Sequence, residues 1–528
     1  MGNRLQPGHN RDSGYGRGRR HGCPFDNCRP HTAGSLHPET NELIRRITIL
    51  MLLASVTGAP AATASELPAM GEPVDRVLSP RQEAEIGREL MAQARRTLDL
   101  NHDPEIAAYL DAVGRRLAVH SDSTPVNGYT FFVVRNPSIN AFAGPGGYIG
   151  VHSGLILEAT SEAQLAGVMA HEIAHVSQRH IARSFARSQR DSYATLAAIL
   201  AGIVIGSQNP QAGQAAITGG IAAEQQRRIN YTRSNEYEAD RIGIALLARA
   251  GYSPAGMTEF FETLMKASGA GGGQVPEFLR THPLSQNRIA EAAARAESLE
   301  RPDQRRDTLS FQLMKVRIQA EYSDQPGRLH DLWRQREPSD DANLAAAREY
   351  GLAVLELRLD QPETARERLD ELYANAPDNL HYGLALARAL QATGDGEEAL
   401  ATWRDTSALH PDSYPVAATG HELLLANDQA DRAIELVTDY LRGDGPIEPE
   451  AWRLLAEAAD AAGRPGRSHE ALGEYYVRID RLEQALTQLE LALRRAQSGS
   501  TEHTRLSTRV EQVRELRRQR LASNPLGG

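Results

Sequence analysis

The sequence predicts an α+β domain, mainly helical with a small sheet, followed by an all-α solenoid. Three observations carry this. A stretch of helical periodicity near residues 161–175 follows two β-rich runs joined by Gly144-Pro145-Gly146-Gly147. Ala365, Ala399 and Ala433 recur at a spacing of 34. Ala and Leu abound while aromatics are only 5%, which leans helical, and 528 residues suffice for two or more domains.

The first 64 residues read as a leader. Segment 1–40 is rich in Arg, Gly, His and Pro and lacks apolar periodicity. Arg45-Arg46, the apolar run from Ile47 to Val56 and Ala62-Thr63-Ala64 then have the three parts of a secretory signal, cut after Ala64. The run is too short for a transmembrane helix. Both cysteines, Cys23 and Cys28, fall in the leader. Flanked by His21 and His31 they resemble a metal knuckle, but a segment discarded on export is the better reading. The exported chain is then free of cysteine and needs no disulfide in an oxidising compartment. A net charge of −10 over the whole chain argues against nucleic acid as a partner.

The elements follow in order. Ser79-Pro80-Arg81-Gln82 opens a helix, with Ser79 as cap, Pro80 at the first position and Gln82 closing a capping box. Ile106, Tyr109, Leu110, Val113 and Leu117 pattern a second helix, and Thr130 to Arg135 (TFFVVR) is a strand. Asn140 to Gly144 and Tyr148 to His152 form a hairpin about the Gly-Pro-Gly-Gly turn. Ser161 and Gln164 are expected to cap the next helix, whose apolar stripe is Leu165, Val168, Met169 and Ile173. The apolar run 194–206 is either a buried helical hairpin or an element touching a membrane or covering substrate; it cannot span a bilayer. Ala267 to Val275 breaks the helical pattern, with a flexible loop from Ser268 to Gly273.

From about Asp307 helix pairs take over. Besides the three alanines, Pro377-Asp378 and Pro411-Asp412 lie 34 apart, with small residues where helices cross. That period resembles tetratricopeptide repeats. Weaker units follow at Glu450 to Ala471 and Ile479 to Leu493. In 503–521, Leu506, Val510, Val513 and Leu516 share one face and many Arg the other, which reads as a solenoid cap before a partner site. The expected organisation is leader 1–64, an α+β domain 65–300, repeat domain 301–500, and capping helix and tail 501–528.

The chemistry lies in His171-Glu172-Ile173-Ala174-His175. Two histidines four apart share a helix face and can reach one zinc ion, while Glu172 can take a proton from the attacking water. A third ligand is needed. Asn235-Glu236-Tyr237-Glu238-Ala239-Asp240 offers Glu236 as that ligand and, one turn on, Asp240 to accept the spare N–H of a ligand histidine, His171 being the candidate. Glu238 points elsewhere and is expected to be solvated. His152 and His180 are expected off the metal, as packed or exposed side chains. His282 follows the Gly-rich loop. It is either a surface or capping histidine before Pro283, or a fourth, inhibitory ligand that keeps the site latent.

These motifs, with Asn140-Ala141-Phe142-Ala143-Gly144-Pro145-Gly146-Gly147, Thr281-His282-Pro283 and Arg288-Ile289, resemble the zinc peptidase family that includes CAAX prenyl proteases and membrane heat-shock proteases. The export signal and repeats make the likeness closest to its periplasmic branch, the β-barrel assembly-enhancing proteases. It covers nearly all of 75–495 and is strongest over 130–290. It implies a zincin-type metallopeptidase domain followed by a tetratricopeptide-repeat solenoid. It implies one Zn2+ per chain held by His171, His175 and Glu236, with Glu172 as general base and Asp240 behind the metal. Asn140, Ala141, Phe142, Ala143 and Gly144 would align substrate as an added strand. The implied setting is the periplasm, peripheral to the outer membrane. The implied partners are outer-membrane β-barrel proteins and their assembly machinery, bound through the repeats. The alternative function is a mainly non-proteolytic chaperone or scaffold acting through the repeats. The lack of long apolar spans argues against an integral-membrane prenyl protease.

Overall fold

The structure, a computed structural model, describes residues 75, 77–187, 233–269, 275–337, 339–443 and 448–523. The leader with its cleavage site, the run 194–206 and residues 270–274 of the Gly-rich loop lie outside the described residues. Among those described, no helix is long and apolar enough to cross a membrane.

The α+β part begins with α1 (Pro80–Thr97) and α2 (Pro104–Ala118). Ser79 and Gln82 form the expected capping box of α1. Asp103 caps α2 by accepting from the Glu105 and Ile106 amides. Three strands follow: β1 (Thr130–Val134), β2 (Ala141–Ala143) and β3 (Tyr148–His152), in the order β1-β3-β2. β3 runs parallel to β1 and antiparallel to β2, with Phe142 opposite Gly150. The β2–β3 turn is a short 3-10 segment, Pro145–Gly147, in which Gly146 (φ 74°) and Gly147 (φ 93°) take the left-handed backbone that only glycine enters freely. Among the described residues β2 is therefore an edge strand.

After α3 (Ser153–Glu158) comes α4 (Glu162–Ser177), the axis of the domain. Every residue of α4 but Val176 is buried, because β2, α2 and two later helices surround it. The expected one-sided stripe is thus too narrow: Ala163, Ala166 and Ala170 bury the other faces at no cost in volume. The expected cap is also corrected. Ser161 occupies the N-cap position, but its hydroxyl makes no capping bond, and Gln164 turns back to Thr160. The Glu162 amide donates instead to Asp307, 145 residues away.

Next come α5 (His180–Arg187), α6 (Arg233–Arg249), α7 (Ala255–Gly269), α8 (Glu277–Thr281) and α9 (Gln286–Leu299). α7 continues through Ser268 and Gly269, beyond the expected loop start, and the Ser268 hydroxyl donates to the Leu264 carbonyl inside it. α6 and α7 flank α4. At Gly243 a Cβ would meet Met257 Cε at 2.7 Å and the His171 amide nitrogen at 3.1 Å, so only glycine allows α6 this close to the first histidine.

The helical repeats run from α10 (Leu309–Tyr322) and α11 (Pro326–Arg334) through α12 (Ala342–Arg358), α13 (Pro362–Asn375), α14 (Leu380–Ala392), α15 (Gly396–Leu409), α16 (Tyr414–Ala426), α17 (Ala430–Arg442), α18 (Glu450–Ala461), α19 (Pro465–Arg478) and α20 (Leu482–Arg495) to α21 (Thr501–Ser523). Ala365, Ala399 and Ala433 are fully buried near the starts of α13, α15 and α17, where a larger side chain would hold neighbouring helices apart. α21 packs Val510 and Val513 onto Leu486 and Leu489 of α20. Its arginines turn back on the solenoid: Arg509 meets Glu474 at 2.6 Å and Arg514 meets Glu490 at 2.7 Å.

The change of pattern near residue 300 is not a break in packing. The described residues fall in one compact unit, and one apolar cluster runs from Ile106 to Ala471. A buried ionic knot ties the two parts. Glu105 of α2, 1% exposed, meets Arg317 of α10 at 3.2 Å, His381 of α14 at 2.7 Å and Arg388 of α14 at 3.0 Å.

Candidate metal centre

α4 presents His171 and His175 one turn apart, and α6 brings Glu236 against them. His282, just after α8, completes a buried group of four whose donor atoms all lie within 4.8 Å of one another. The spacings are close. His171 Nε2 is 3.0 Å from His175 Nε2 and 3.3 Å from His282 Nδ1. Glu236 oxygens are 3.5 Å from His171 Nε2, 3.5 Å from His175 Nε2 and 3.3 Å from His282 Nδ1.

These residues fit a zinc ion. Zinc–nitrogen bonds of about 2.0–2.1 Å in a tetrahedron put neighbouring donors about 3.3 Å apart, and the donor set of three imidazoles and one carboxylate is one zinc favours. Lone pairs crowded this way repel unless a cation or protons lie among them. In the protein alone, burial disfavours a charged His171, but Asp240 and Glu236 outweigh it and push the imidazole up to about 9. Burial, with His171 and His282 nearby, holds His175 well below the usual histidine range. Burial would raise Glu236, yet His282, His171 and His175 outweigh it and hold its carboxyl well below the usual range.

The surroundings fix these donors. Asp240 Oδ1 lies 3.0 Å from His171 Nδ1, the nitrogen facing away from the cluster. Arg288 of α9 grips Asp240 with two 2.8 Å bonds, reaches Glu236 at 3.0 Å and donates to the Pro283 carbonyl at 2.7 Å. One guanidinium therefore orders Glu236, the acid behind His171 and the segment carrying His282. The sequence marks Arg288 only as part of a resemblance, since nothing in its spacing points 48 residues back to Asp240.

Glu172 is fully buried beside the cluster, with His282 Nε2 3.5 Å from one oxygen. Both oxygens lack a hydrogen-bond partner of good geometry among the described residues. Burial pushes this carboxyl up, while His282, His171 and, from the edge strand, the Ala143 amide favour its anion. A buried carboxylate with unspent acceptor capacity beside a metal-binding group is equipped to take a proton. Of the expected substrate strand, Ala141 to Ala143 form β2, with Asn140 leading in and Gly144 leading out. A cleft of about 110 Å³ lies at its end, lined by Ala143, Gly144 and Pro145 and by His175 and Val176.

One expectation needs correction. Glu238 is not simply solvated: it is only partly exposed and bonds His180 Nε2 at 3.2 Å and Arg183 at 2.9 Å. His180 lies outside the donor group, as expected, but it is no bystander, since its Nδ1 is 2.8 Å from His175 Nδ1. His152 also lies outside the group. It is buried, takes Ser138 Oγ at 2.8 Å and packs edge-on to Phe142 of β2.

Residues 104–296 match peptidase family M48. The β-barrel assembly-enhancing protease of Escherichia coli (strain K12) is 33% identical over 480 residues, which is 90% of this chain and 96% of that one. The mitochondrial metalloendopeptidase OMA1 of Arabidopsis thaliana is 31% identical over 185 residues, 34% of this chain and 35% of that one. Among solved structures, residues 41-end of MamA from Desulfovibrio magneticus RS-1 align over 33% of this chain and 96% of that one, at 19% identity and a TM-score of 0.24.

Proposed function

The chain belongs to peptidase family M48 and is a zinc metalloprotease, and on that premise we propose that it is a periplasmic endopeptidase serving the assembly and quality control of outer-membrane β-barrel proteins. The observation that carries the catalytic part is the buried group His171, His175 and Glu236 with Glu172 beside it and an edge strand next to both. The named role of the Escherichia coli relative, matched across nearly its whole length, supports the client class.

Bound zinc supplies the Lewis acidity that activates water near neutral pH and polarises a peptide carbonyl. The protein's residues do the rest. His171, His175 and Glu236 hold the ion. β2 offers its open edge, so an extended client segment lies antiparallel or parallel to Ala141–Ala143 with its backbone paired. Burial excludes bulk water from Glu172, which accepts the proton of the attacking water and returns it to the leaving amine. The repeats recruit the client or the machinery that handles it.

His282 supports a second reading for the resting protein. Its ring meets His171, Glu236 and Glu172 at 3.3–3.5 Å, where a substrate carbonyl would have to enter. As a fourth ligand it keeps proteolysis off, and a latent protein acts as a chaperone or scaffold through its repeats until the segment after α8 moves.

The test is digestion of an unfolded outer-membrane β-barrel protein by the exported chain and its Glu172→Gln form. The parent should cleave in a zinc-dependent way. The variant should retain zinc and lose cleavage by on the order of 10²–10⁴. Equal cleavage by the variant would sink the mechanism. Full rescue of barrel assembly by the variant in a deletion strain would favour the scaffold reading.

A further inference from the structure

The geometry points to His180 as a positioning residue that fixes the tautomer of His175 through a relay ending on Glu238. This rests on the reading of His175 as a zinc ligand.

α4 ends at Ser177 and α5 begins at His180. Between them Arg179 sits at φ 51°, a left-handed turn that non-glycine residues rarely adopt. The arginine is held there by its guanidinium, which bonds Glu83 at 2.8 Å, the Leu78 carbonyl and Asp75. The turn folds the chain back, so His180 lies against the side of His175 that faces away from the donor group. Their rings cross at 76° with centroids 4.8 Å apart, and the two Nδ1 atoms are 2.8 Å apart. The His180 side chain is fully buried.

Proton placement then follows from valence. His175 directs Nε2 at the cluster, so that nitrogen must keep its lone pair to bind a metal. A neutral imidazole carries its single N–H on the other nitrogen, so His175 Nδ1–H donates to His180 Nδ1. His180 must then carry its own proton on Nε2, which lies 3.2 Å from Glu238 Oε2. Arg183, 2.9 Å from the same oxygen, keeps Glu238 charged and aimed. Each histidine of α4 thus has a carboxylate behind it. Asp240 backs His171 directly, and Glu238 backs His175 through one intervening imidazole. Both acids come from α6, as does Glu236. Successive residues there turn about 100°, so Glu238 leaves on the opposite side of the helix from Glu236 and Asp240, toward α5. That explains why the acids at 236, 238 and 240 are all put to use.

Such backing groups typically contribute 10–100-fold to metal affinity. The experiment measures zinc affinity of the full exported chain by chelator competition, and the visible spectrum of its Co(II) form. His180→Phe fills the space without an acceptor and should weaken zinc binding at least tenfold with an altered Co(II) spectrum. His180→Asn returns an acceptor near the Nδ1 position and should recover most of both. Glu238→Ala, at a partly exposed site, should weaken binding several-fold. A parent that binds zinc while His180→Phe and Glu238→Ala match it within twofold, with unchanged spectra, overturns this inference alone. A parent that binds neither ion overturns the metal reading and this one with it.

Discussion

Replacing Glu105 should loosen the whole chain rather than one helix. Its carboxylate is 1% exposed and lies at 2.7–3.2 Å from three cationic or imidazole groups of the repeats, with the Tyr350 hydroxyl at 3.5 Å. Glu105→Ala leaves buried Arg317 and half-buried Arg388 with part of their neutralising charge gone. Breaking such a pair costs about 3–5 kcal/mol. Arg317 keeps Asp103 at 2.7 Å and Arg388 keeps Glu422 at 3.2 Å, so the low end applies, about 3 kcal/mol. For a unit of about 450 residues the unfolding entropy is about 1 kcal/mol per degree, so the midpoint should fall by about 3 °C. Differential scanning calorimetry of the exported chain reads this directly. Glu105→Gln, which keeps the shape, should lose less. The pH dependence has a definite sign. Burial alone would raise Glu105, but Arg317, His381 and Arg388 outweigh it and hold the carboxyl well below the usual range. A depressed folded value means the contribution is complete above the unfolded value, about 4.3, and is lost as pH falls below it toward the folded value. The gap between parent and Glu105→Gln should therefore be full near pH 5 and shrink as pH falls below about 4. An unchanged midpoint for Glu105→Ala, or separate melting of the peptidase part and the repeats in the parent, would refute the knot.

Three further outcomes follow from the site. His282→Ala should raise the cleavage rate of an unfolded substrate several-fold while zinc stays bound, and an unchanged rate in a peptide-digestion assay would show that His282 is no latch. Asp240→Asn should weaken zinc about 10–100-fold in a chelator competition, because the acid behind His171 loses its charge and Arg288 its bidentate partner. Gly243→Ala should destabilise the chain by about 1–3 kcal/mol by urea unfolding, since a Cβ there meets the backbone of α4 at 3.1–3.2 Å and Met257 at 2.7 Å.

What could be read before the structure was what repeats or is local. The His171–His175 spacing, the Glu236–Asp240 spacing and the 34-residue alanine period each follow from helix geometry and need no distant partner. The Gly-Pro-Gly-Gly turn declared the hairpin for the same reason. Features that depend on distant residues were not legible. Ser161 looked like a cap, yet Asp307 supplies the acceptor from the start of the repeats. Arg288 and Glu105 carry no local mark of the charges they neutralise. His180 is the instructive case. Its position five residues after His175 suggests a helix face turned away, and only the left-handed backbone of Arg179 brings it back. A non-glycine residue in that conformation is invisible to periodicity.

The proposed mechanism requires the α4 histidines and Glu236 to hold a catalytic zinc ion. Diffraction data from crystals of the exported chain, collected on both sides of the zinc absorption edge, test it most directly. One anomalous peak per chain is expected, about 2.0–2.2 Å from His171 Nε2, His175 Nε2 and a Glu236 oxygen, with His282 at the fourth position in the resting form. A peak elsewhere, or none at this site in zinc-replete crystals, would contradict it.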